Sequence, residues 1–247
     1  IRLNVEQMRR HRGLCMGSLY WQVNDSNPVI SWSSIDYFGR WKALHYYAKK
    51  FYAPVLCSID DSNKNNLVIN ISNEKLTAFE GTLKWRVRKN TAEIIADGEQ
   101  AVSVPPLSAK DCLTLTKEMT GVNEDMYSEC YIEYLLLQDN AVVSDSTFMY
   151  CLPKQFEFLD PEIEFTVNQI GDMYRFKISS KKFAKGVYLD FDDMDCVFSD
   201  NWFDLHGQDT YVIVNRMYLP LNATLSDIEE KLKIKSYFDL SSPENYR

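Results

Sequence analysis

The distribution of apolar and polar residues changes near residue 54. Before that point, residues 14–23 form a nearly continuous apolar run with little polar alternation before Gln22. Such a run is typical of a strand that is buried on both faces, as in a parallel sheet. The polar residues 5–12 precede it and resemble the end of a helix that Gly13 closes. The pattern therefore predicts a helix and then a strand that needs neighbours on both faces.

A second helix is predicted over residues 39–53. Apolar side chains recur there at spacings of three and four, which places them on one helical face. This stripe consists of Trp41, Leu44, Ala48 and Phe51. Pro54 ends the helix, because the residue before a proline is pushed out of the helical conformation. Helix, buried strand, loop and helix together form a piece of α/β architecture.

After Pro54 the period of the pattern changes to two. In residues 82–89, for example, Leu83, Trp85 and Val87 share one face and charged residues occupy the other. Strands are predicted at residues 67–72, 82–89, 101–107, 112–117, 130–138, 147–153, 163–169, 173–179, 186–191, 210–216 and 232–240. Their lengths and spacing are typical of immunoglobulin-like sandwiches.

We therefore predict a mainly β fold with two immunoglobulin-like β-sandwich domains, over residues 54–153 and 154–247. A short helical turn is predicted at 226–232, where Ser226 and Glu229 have the spacing of a capping box.

Charge and composition exclude several classes of function. Residues 1–53 carry a net charge of +5, and the remainder carries −13, for a total of −8. This acidic balance argues against nucleic acid as a partner, because phosphate binding needs clustered Lys and Arg. No run of 18 apolar residues is present, so we expect no membrane span. The first residues are polar and basic and do not begin with Met, which favours a portion of a longer protein.

We also expect no metal site and no cofactor. The six cysteines are widely spaced and form no C-x-x-C pair, so a zinc ribbon is not supported. The acidic run at 190–195 lacks the glycine and the distal glutamate of a calcium loop, and we interpret it as solvated edge charge. No phosphate-binding loop, dinucleotide fingerprint or nucleophile elbow occurs.

The residues with the clearest binding chemistry follow the predicted buried strand. Trp21 offers an aromatic face of the kind on which sugar rings stack, although packing in a core is the alternative for this side chain. Gln22, Asn24 and Asp25 add hydrogen-bonding groups, which could hold hydroxyls of a ligand or satisfy a loop.

Two segments carry a specific resemblance. Residues 17–55, GSLYWQVNDSNPVISWSSIDYFGRWKALHYYAKKFYAPV, strongly resemble the last strand and helix of the catalytic barrel in β-mannosidases of glycoside hydrolase family 2. Residues 198–205, FSDNWFDL, are similar to a signature of that family's final sandwich domain. The resemblance implies that residues 1–53 are the C-terminal end of a (β/α)8 catalytic barrel. Residues 5–12 would then end the seventh helix, and residues 14–23 would be the eighth strand.

The resemblance also implies roles for the residues after the strand. Trp21 would form a wall of the subsite for the cleaved sugar, next to a non-proline cis peptide bond. Gln22, Asn24 and Asp25 would complete the substrate-binding residues of this chain. The family's tryptophan in N-D-x-W-P is Asn27 here, which puts strict preference for mannose in doubt.

We expect no catalytic residue in this chain. A retaining glycosidase needs two carboxyl groups about 5–5.5 Å apart, and the family takes them from barrel strands that precede Ile1. Residues 1–53 contain only Glu6, Asp25 and Asp36 as acids. The implied function is thus the C-terminal portion of a retaining enzyme that removes terminal, non-reducing β-D-mannose. Its partners would be a β-mannoside or oligosaccharide and the upstream catalytic barrel of the same enzyme.

Two other interpretations stay open on the sequence. In the first, the chain is a non-catalytic carbohydrate-binding or interaction module of the immunoglobulin-like type. Trp202 would be its exposed platform, since Trp85 lies on the apolar face of a strand. In the second, the sandwiches only brace the barrel or an oligomer.

Overall fold

β-Strands make up most of the regular structure, as the alternating pattern after residue 54 predicts. The computed structural model describes residues 1–191, 193–220 and 223–241, so Asp192 of the acidic run lies outside the described residues. The strands are β1 (Val55–Asp60), β2 (Asn66–Asn73), β3 (Phe79–Lys89), β4 (Ile94–Val104), β5 (Ser108–Thr116), β6 (Cys130–Gln138), β7 (Ala141–Met149), β8 (Glu164–Ile170), β9 (Met173–Ser179), β10 (Phe183–Phe191), β11 (Phe203–His206), β12 (Thr210–Asn215) and β13 (Leu232–Lys235). The helices are α1 (Arg2–Arg10), α2 (Ala43–Phe51), α3 (Lys117–Thr120), α4 (Leu225–Lys231) and α5 (Tyr237–Ser241).

The chain packs as two compact units. One contains Ile1–Tyr20, Tyr47–Lys89 and Glu93–Glu157, and the other contains Trp21–Tyr46, Asn90–Ala92 and Phe158–Arg247. The predicted domain division at residues 53 and 153 stays a prediction, because the barrel to which it assigns the first 53 residues includes strands that are not in this sequence.

In the first unit, two antiparallel sheets form a sandwich. Their strand orders are β1-β2-β5 and β4-β3-β6-β7. The inward-facing residues of both sheets build one core, and the predicted inner face of β3, Leu83, Trp85 and Val87, is buried in it. Gly98 lies opposite Trp85 in the β3–β4 ladder, and a Cβ at this position would come within 2.8 Å of the indole. Glycine is required there because the tryptophan ring lies over the neighbouring backbone.

Helix α1 packs on the β1-β2-β5 sheet of the same unit. Val5 and Glu6 are its buried residues, and Glu6 accepts a hydrogen bond from Arg2 Nε at 2.7 Å. A buried carboxylate is tolerated here because a guanidinium four residues earlier on the helix pairs with it.

In the second unit, the antiparallel sheets β12-β9-β8 and β11-β10-β13 enclose a separate core. Phe176, Ile178 and Val214 are fully buried in it. Both sandwiches therefore bury apolar faces between paired sheets, and the mainly β, immunoglobulin-like fold class is confirmed.

The predicted strand at residues 14–23 does not form. Leu14 ends a turn, the following residues have no regular secondary structure, and no β-ladder includes them before the isolated bridge of Asn24 with Ile35. Leu14, Leu19 and Trp21 are exposed rather than buried. The physical reason is that a strand needs a ladder of backbone hydrogen bonds with a neighbouring strand, and the described part of this chain places no strand beside residues 14–23.

Several boundaries differ from the predictions. Helix α2 begins four residues later than predicted, at Ala43, because the residues before it are held in a folded loop. Helix α4 is capped by Thr224 and Asp227, two residues before the predicted pair of Ser226 and Glu229. The predicted strand at 232–240 is divided into β13 and α5. Strands β1 and β11 were not predicted.

Candidate functional site

The residues that follow this irregular segment fold into a loop over positions 22–42. Two backbone bridges hold it together, one between Asn24 and Ile35 and the other between Ile35 and Trp41. The amide of Asp25 donates to the Ile35 carbonyl at 3.1 Å, and the amide of Ser34 donates to the Val23 carbonyl at 3.0 Å. The loop is thus an ordered element, although it contains neither a helix nor a long strand.

Asp25 is the centre of this loop. Its buried carboxylate accepts hydrogen bonds from the hydroxyls of Ser31 and Ser33 and, at 3.4 Å, from the side-chain amide of Gln22. Lys42 Nζ lies 3.2 Å from the same carboxylate. The hydrogen bond from Ser31, with those from Ser33 and Lys42, lowers the pKa of Asp25 to about 2.

Lys42 ties the start of α2 to this centre. Its ammonium also donates to Ser33 Oγ at 2.8 Å, so one cation bridges the two ends of the loop. Close by, the hydroxyl of Ser34 lies 3.1 Å from His45 Nδ1, and burial lowers the pKa of that imidazole. Sequence reasoning missed Lys42 and the serines, because Lys42 follows Asp25 by 17 residues and no short motif links them.

The four predicted substrate-binding residues take different positions. Trp21 projects from the loop with 75% of its surface exposed, and the Trp21–Gln22 peptide bond is cis, as the resemblance implied. Gln22 is half-buried against Asp25, whereas Asn24 is exposed and donates to the Asp25 carbonyl at 3.3 Å. The structure therefore joins Gln22, Asn24 and Asp25 in one network and leaves the Trp21 indole free to contact something else.

The loop also exposes an unusual amount of apolar surface. Besides Trp21, the large side chains of Val29, Ile30, Trp32, Tyr37 and Phe38 are all exposed. Contiguous exposed apolar surface of this kind marks a contact with another protein segment or with a ligand. We refer to residues 21–38 as the aromatic loop.

The acidic residues of the first 53 positions all have structural partners. Glu6 pairs with Arg2 in α1, and Asp25 is the centre of the aromatic loop. Asp36 accepts hydrogen bonds from the amides of Phe38 and Arg40, each at 2.9 Å. These contacts show what each carboxylate does in the fold.

The two tryptophans considered for a binding platform differ in exposure. Trp85 is 6% exposed and belongs to the core of the first sandwich. Trp202 is half-buried, and its ring stacks on that of Tyr188 with centroids 4.5 Å apart. Of these two tryptophans, Trp202 is therefore the one that retains accessible aromatic surface.

Within residues 1–191, 193–220 and 223–241, no three His, Cys, Asp or Glu side chains come together as a possible metal site. In the same ranges no helix is both long and apolar enough to cross a membrane.

These features define a class: a protein with two immunoglobulin-like sandwiches and an ordered loop that exposes aromatic side chains. Comparison with known proteins identifies the family. Residues 65–155 match the family described as a mannosidase Ig/CBM-like domain, and residues 158–240 match the Ig-fold domain of mannosidases. Two mannosidase domain models thus match most of the chain, which is similar to the C-terminal part of β-mannosidases.

Individual relatives agree with this assignment. The chain is 27% identical over 234 residues to the β-mannosidase of Bos taurus, and the match covers 92% of this chain and 26% of that protein. The β-mannosidase of Capra hircus is 28% identical over 241 residues, with the same two coverages. The chain thus spans about a quarter of the length of the curated relatives that it matches.

Solved structures share the fold. The crystal structure of the β-D-mannosidase from Dictyoglomus thermophilum matches 96% of this chain with a TM-score of 0.81 and 20% identity, over 28% of its own length. The exo-chitosanase CsxA of Amycolatopsis orientalis matches the same share with a TM-score of 0.63 and 14% identity, over 32% of its length.

Proposed function

We propose that this chain is the C-terminal portion of a β-mannosidase, a retaining glycoside hydrolase that removes terminal, non-reducing β-D-mannose. In this proposal the upstream part of the enzyme supplies the catalytic barrel and both catalytic carboxyl groups. The present chain supplies one wall of the sugar subsite, through Trp21, and two accessory sandwiches. No cofactor or metal takes part.

The observation that carries the proposal is the exposure of Trp21 on an ordered loop. An indole that is three-quarters exposed contributes little to the fold of this chain, yet Gln22, its partner in the cis peptide, is held by the buried Asp25 network. An aromatic face fixed in this way suits the apolar face of a sugar ring. The exposed side chains of the aromatic loop suit contact with the upstream barrel.

The roles of the acids support the same division of labour. Glu6, Asp25 and Asp36 are each engaged in an ion pair, a buried network or a turn. A retaining mechanism needs one carboxylate free to attack the anomeric carbon and another that exchanges protons with the leaving group. Side chains committed to structural contacts fit neither task, which favours an upstream origin of both groups.

The proposal is tested by assaying hydrolysis of p-nitrophenyl β-D-mannoside. We expect turnover by the full-length enzyme and none by this chain alone. In the full-length enzyme, Trp21→Ala should lower kcat/KM, whereas Tyr211→Ala, which also removes an exposed aromatic ring but from β12, should leave it unchanged. Turnover by the isolated chain would overturn the proposed origin of the carboxyl groups, and a full-length enzyme inactive on β-mannosides would overturn the substrate class.

A further inference from the structure

The second unit contains a cavity that the proposed function does not use. It has a volume of about 330 Å³ and is lined by Arg40, Trp41 and Tyr46 on one side and by side chains from residues 188–191 and 193–201 on the other. We call it the Arg40 cavity. Its volume falls at the lower end of the range of small-molecule sites, about 300–1,000 Å³.

The walls of the Arg40 cavity are fixed by buried contacts. Tyr46 is buried and hydrogen-bonds the backbone of Phe198 and the side chain of Asn201. Asn201 in turn accepts from the amide of Leu189 at 2.9 Å and donates to its carbonyl at 2.8 Å. Burial raises the pKa of the Tyr46 phenol to about 12, so this side chain is uncharged at neutral pH.

Three carboxylates supply acceptors. Asp190 hydrogen-bonds Tyr188, Asp193 pairs with Lys231 at 2.9 Å, and Asp195 lies 3.3 Å from the guanidinium of Arg40. A carboxylate can accept about four hydrogen bonds. Each of these groups therefore keeps acceptor capacity after its internal contact is made, and the internal contact fixes its orientation.

Arg40 supplies the donors. Its Nε lies 3.4 Å from Asp36 and 3.3 Å from Asp195. Its guanidinium stacks over the Phe38 ring at 4.9 Å, and about half of the side chain is exposed. A guanidinium carries five N–H donors in a fixed fork, so Arg40 can also donate to a ligand.

Aromatic rings complete the cavity. Trp41 and Tyr188 both line it, and Tyr188 is backed by the stacked ring of Trp202. Trp202 has a φ of 60°, a left-handed conformation that is rare and strained for so large a residue. This backbone conformation accompanies the placement of the indole behind Tyr188.

We propose that the Arg40 cavity is an accessory carbohydrate site that binds one uncharged sugar ring. Acceptors, donors and aromatic surface in one small cavity match the alternating hydroxyls and apolar face of a pyranose. A metal ion is disfavoured, since the described carboxylates do not converge. An anionic sugar is disfavoured because the carboxylates outnumber the cations. The choice of a sugar rests on the proposed function, whereas the cavity itself stands on its geometry.

The test is a titration of the full chain with β-1,4-mannobiose, followed by tryptophan fluorescence and by calorimetry. We expect saturable, millimolar binding. Asp195→Asn and Arg40→Gln should each weaken it by about tenfold, the effect of losing one hydrogen bond to a charged group. The matched control Asp209→Asn removes an exposed carboxylate that pairs with Lys177 elsewhere in the unit and should leave the affinity unchanged.

Each outcome decides the proposal. Absence of binding would overturn it, because the sugar would then bind nowhere. If Asp195→Asn and Arg40→Gln both kept the affinity of the unsubstituted chain, the proposal would also fall, because the sugar would then bind outside the cavity. Binding of glucosamine or glucuronic acid in preference to mannobiose would overturn the uncharged ligand class. Both substituted side chains are solvent-accessible, and circular dichroism checks that the variants are folded. Cavity binding by a chain whose full-length enzyme does not hydrolyse β-mannosides would refute the proposed function alone.

Discussion

Replacement of Trp21 by alanine separates a role in the fold from a role in the sugar subsite. A tryptophan side chain has on the order of 200 Å² of surface, and three-quarters of Trp21 is exposed in this chain. About 50 Å² is therefore buried on folding, which is worth roughly 1 kcal/mol at 25 cal/mol per Å². The isolated chain should lose no more than that in free energy of unfolding.

The same substitution should have a larger effect on catalysis. In the full-length enzyme, the exposed part of the indole, on the order of 150 Å², is available to the barrel and to the sugar. If about half of it covers the sugar, the loss is roughly 2 kcal/mol of binding to the transition state, or about 30-fold in kcat/KM. Most of this loss should appear in the hydrolysis of small β-mannosides.

Two measurements check these values. Urea unfolding of the isolated chain gives the stability change, with Phe51→Ala as the comparison, because Phe51 is 1% exposed and its truncation should cost about 3–5 kcal/mol. Steady-state kinetics of the full-length enzyme gives the catalytic change. A loss of stability near that of Phe51→Ala would show that the indole is packed within this chain. An unchanged kcat/KM would show that it does not contact the sugar.

Three further predictions concern the supports of the fold. Asp25 has a folded pKa of about 2, below the unfolded value of about 3.9, so the stability that it contributes is present above the unfolded pKa and is lost as the pH falls toward 2. Asp25→Asn should therefore reduce the difference between the urea unfolding midpoints at pH 5 and pH 3. An unaltered difference would contradict the hydrogen-bond network around Asp25. Gly98→Ala should lower the melting temperature by several degrees, because the new Cβ would lie 2.8 Å from the Trp85 ring. An unchanged melting temperature would mean that the ring moves aside without cost. Glu133→Gln should lower the free energy of unfolding in urea by about 3 kcal/mol, since it removes the buried counter-charge of two guanidinium groups on β3. Glu99→Gln, in an exposed pair, should change the free energy of unfolding little. Equal effects of the two substitutions would refute the assigned burial of Glu133.

The sandwich strands were predictable because their signal is local. Side chains alternate between the faces of a strand, so burial of one face is written into residues such as Leu83, Trp85 and Val87. β1 was missed because both of its faces are buried over most of its length, which removes the alternation. β11 was missed because it has only four residues.

The candidate site was predictable only in part. The aromatic and polar residues at 21–25 could be found from their position and from the family resemblance, and their role as substrate-binding residues stays a prediction. Lys42 could not be found, since its contact with Asp25 depends on how the loop folds back. The exposure of Trp21 was likewise not deducible from the pattern, which predicted a buried strand.

The sequence by itself determined the two sandwiches, the presence of the flanking helices and the relation to the β-mannosidases, because periodicity and contiguous motifs act over short stretches of chain. Only the tertiary structure decided that residues 14–23 join no β-ladder, that Asp25 serves the loop, and that Arg40, Trp41 and Tyr46 meet side chains from Tyr188 to Phe191 and from Asp193 to Asn201 around a cavity. These features depend on contacts between residues far apart in sequence, and such contacts exist only when the backbone brings the partners together.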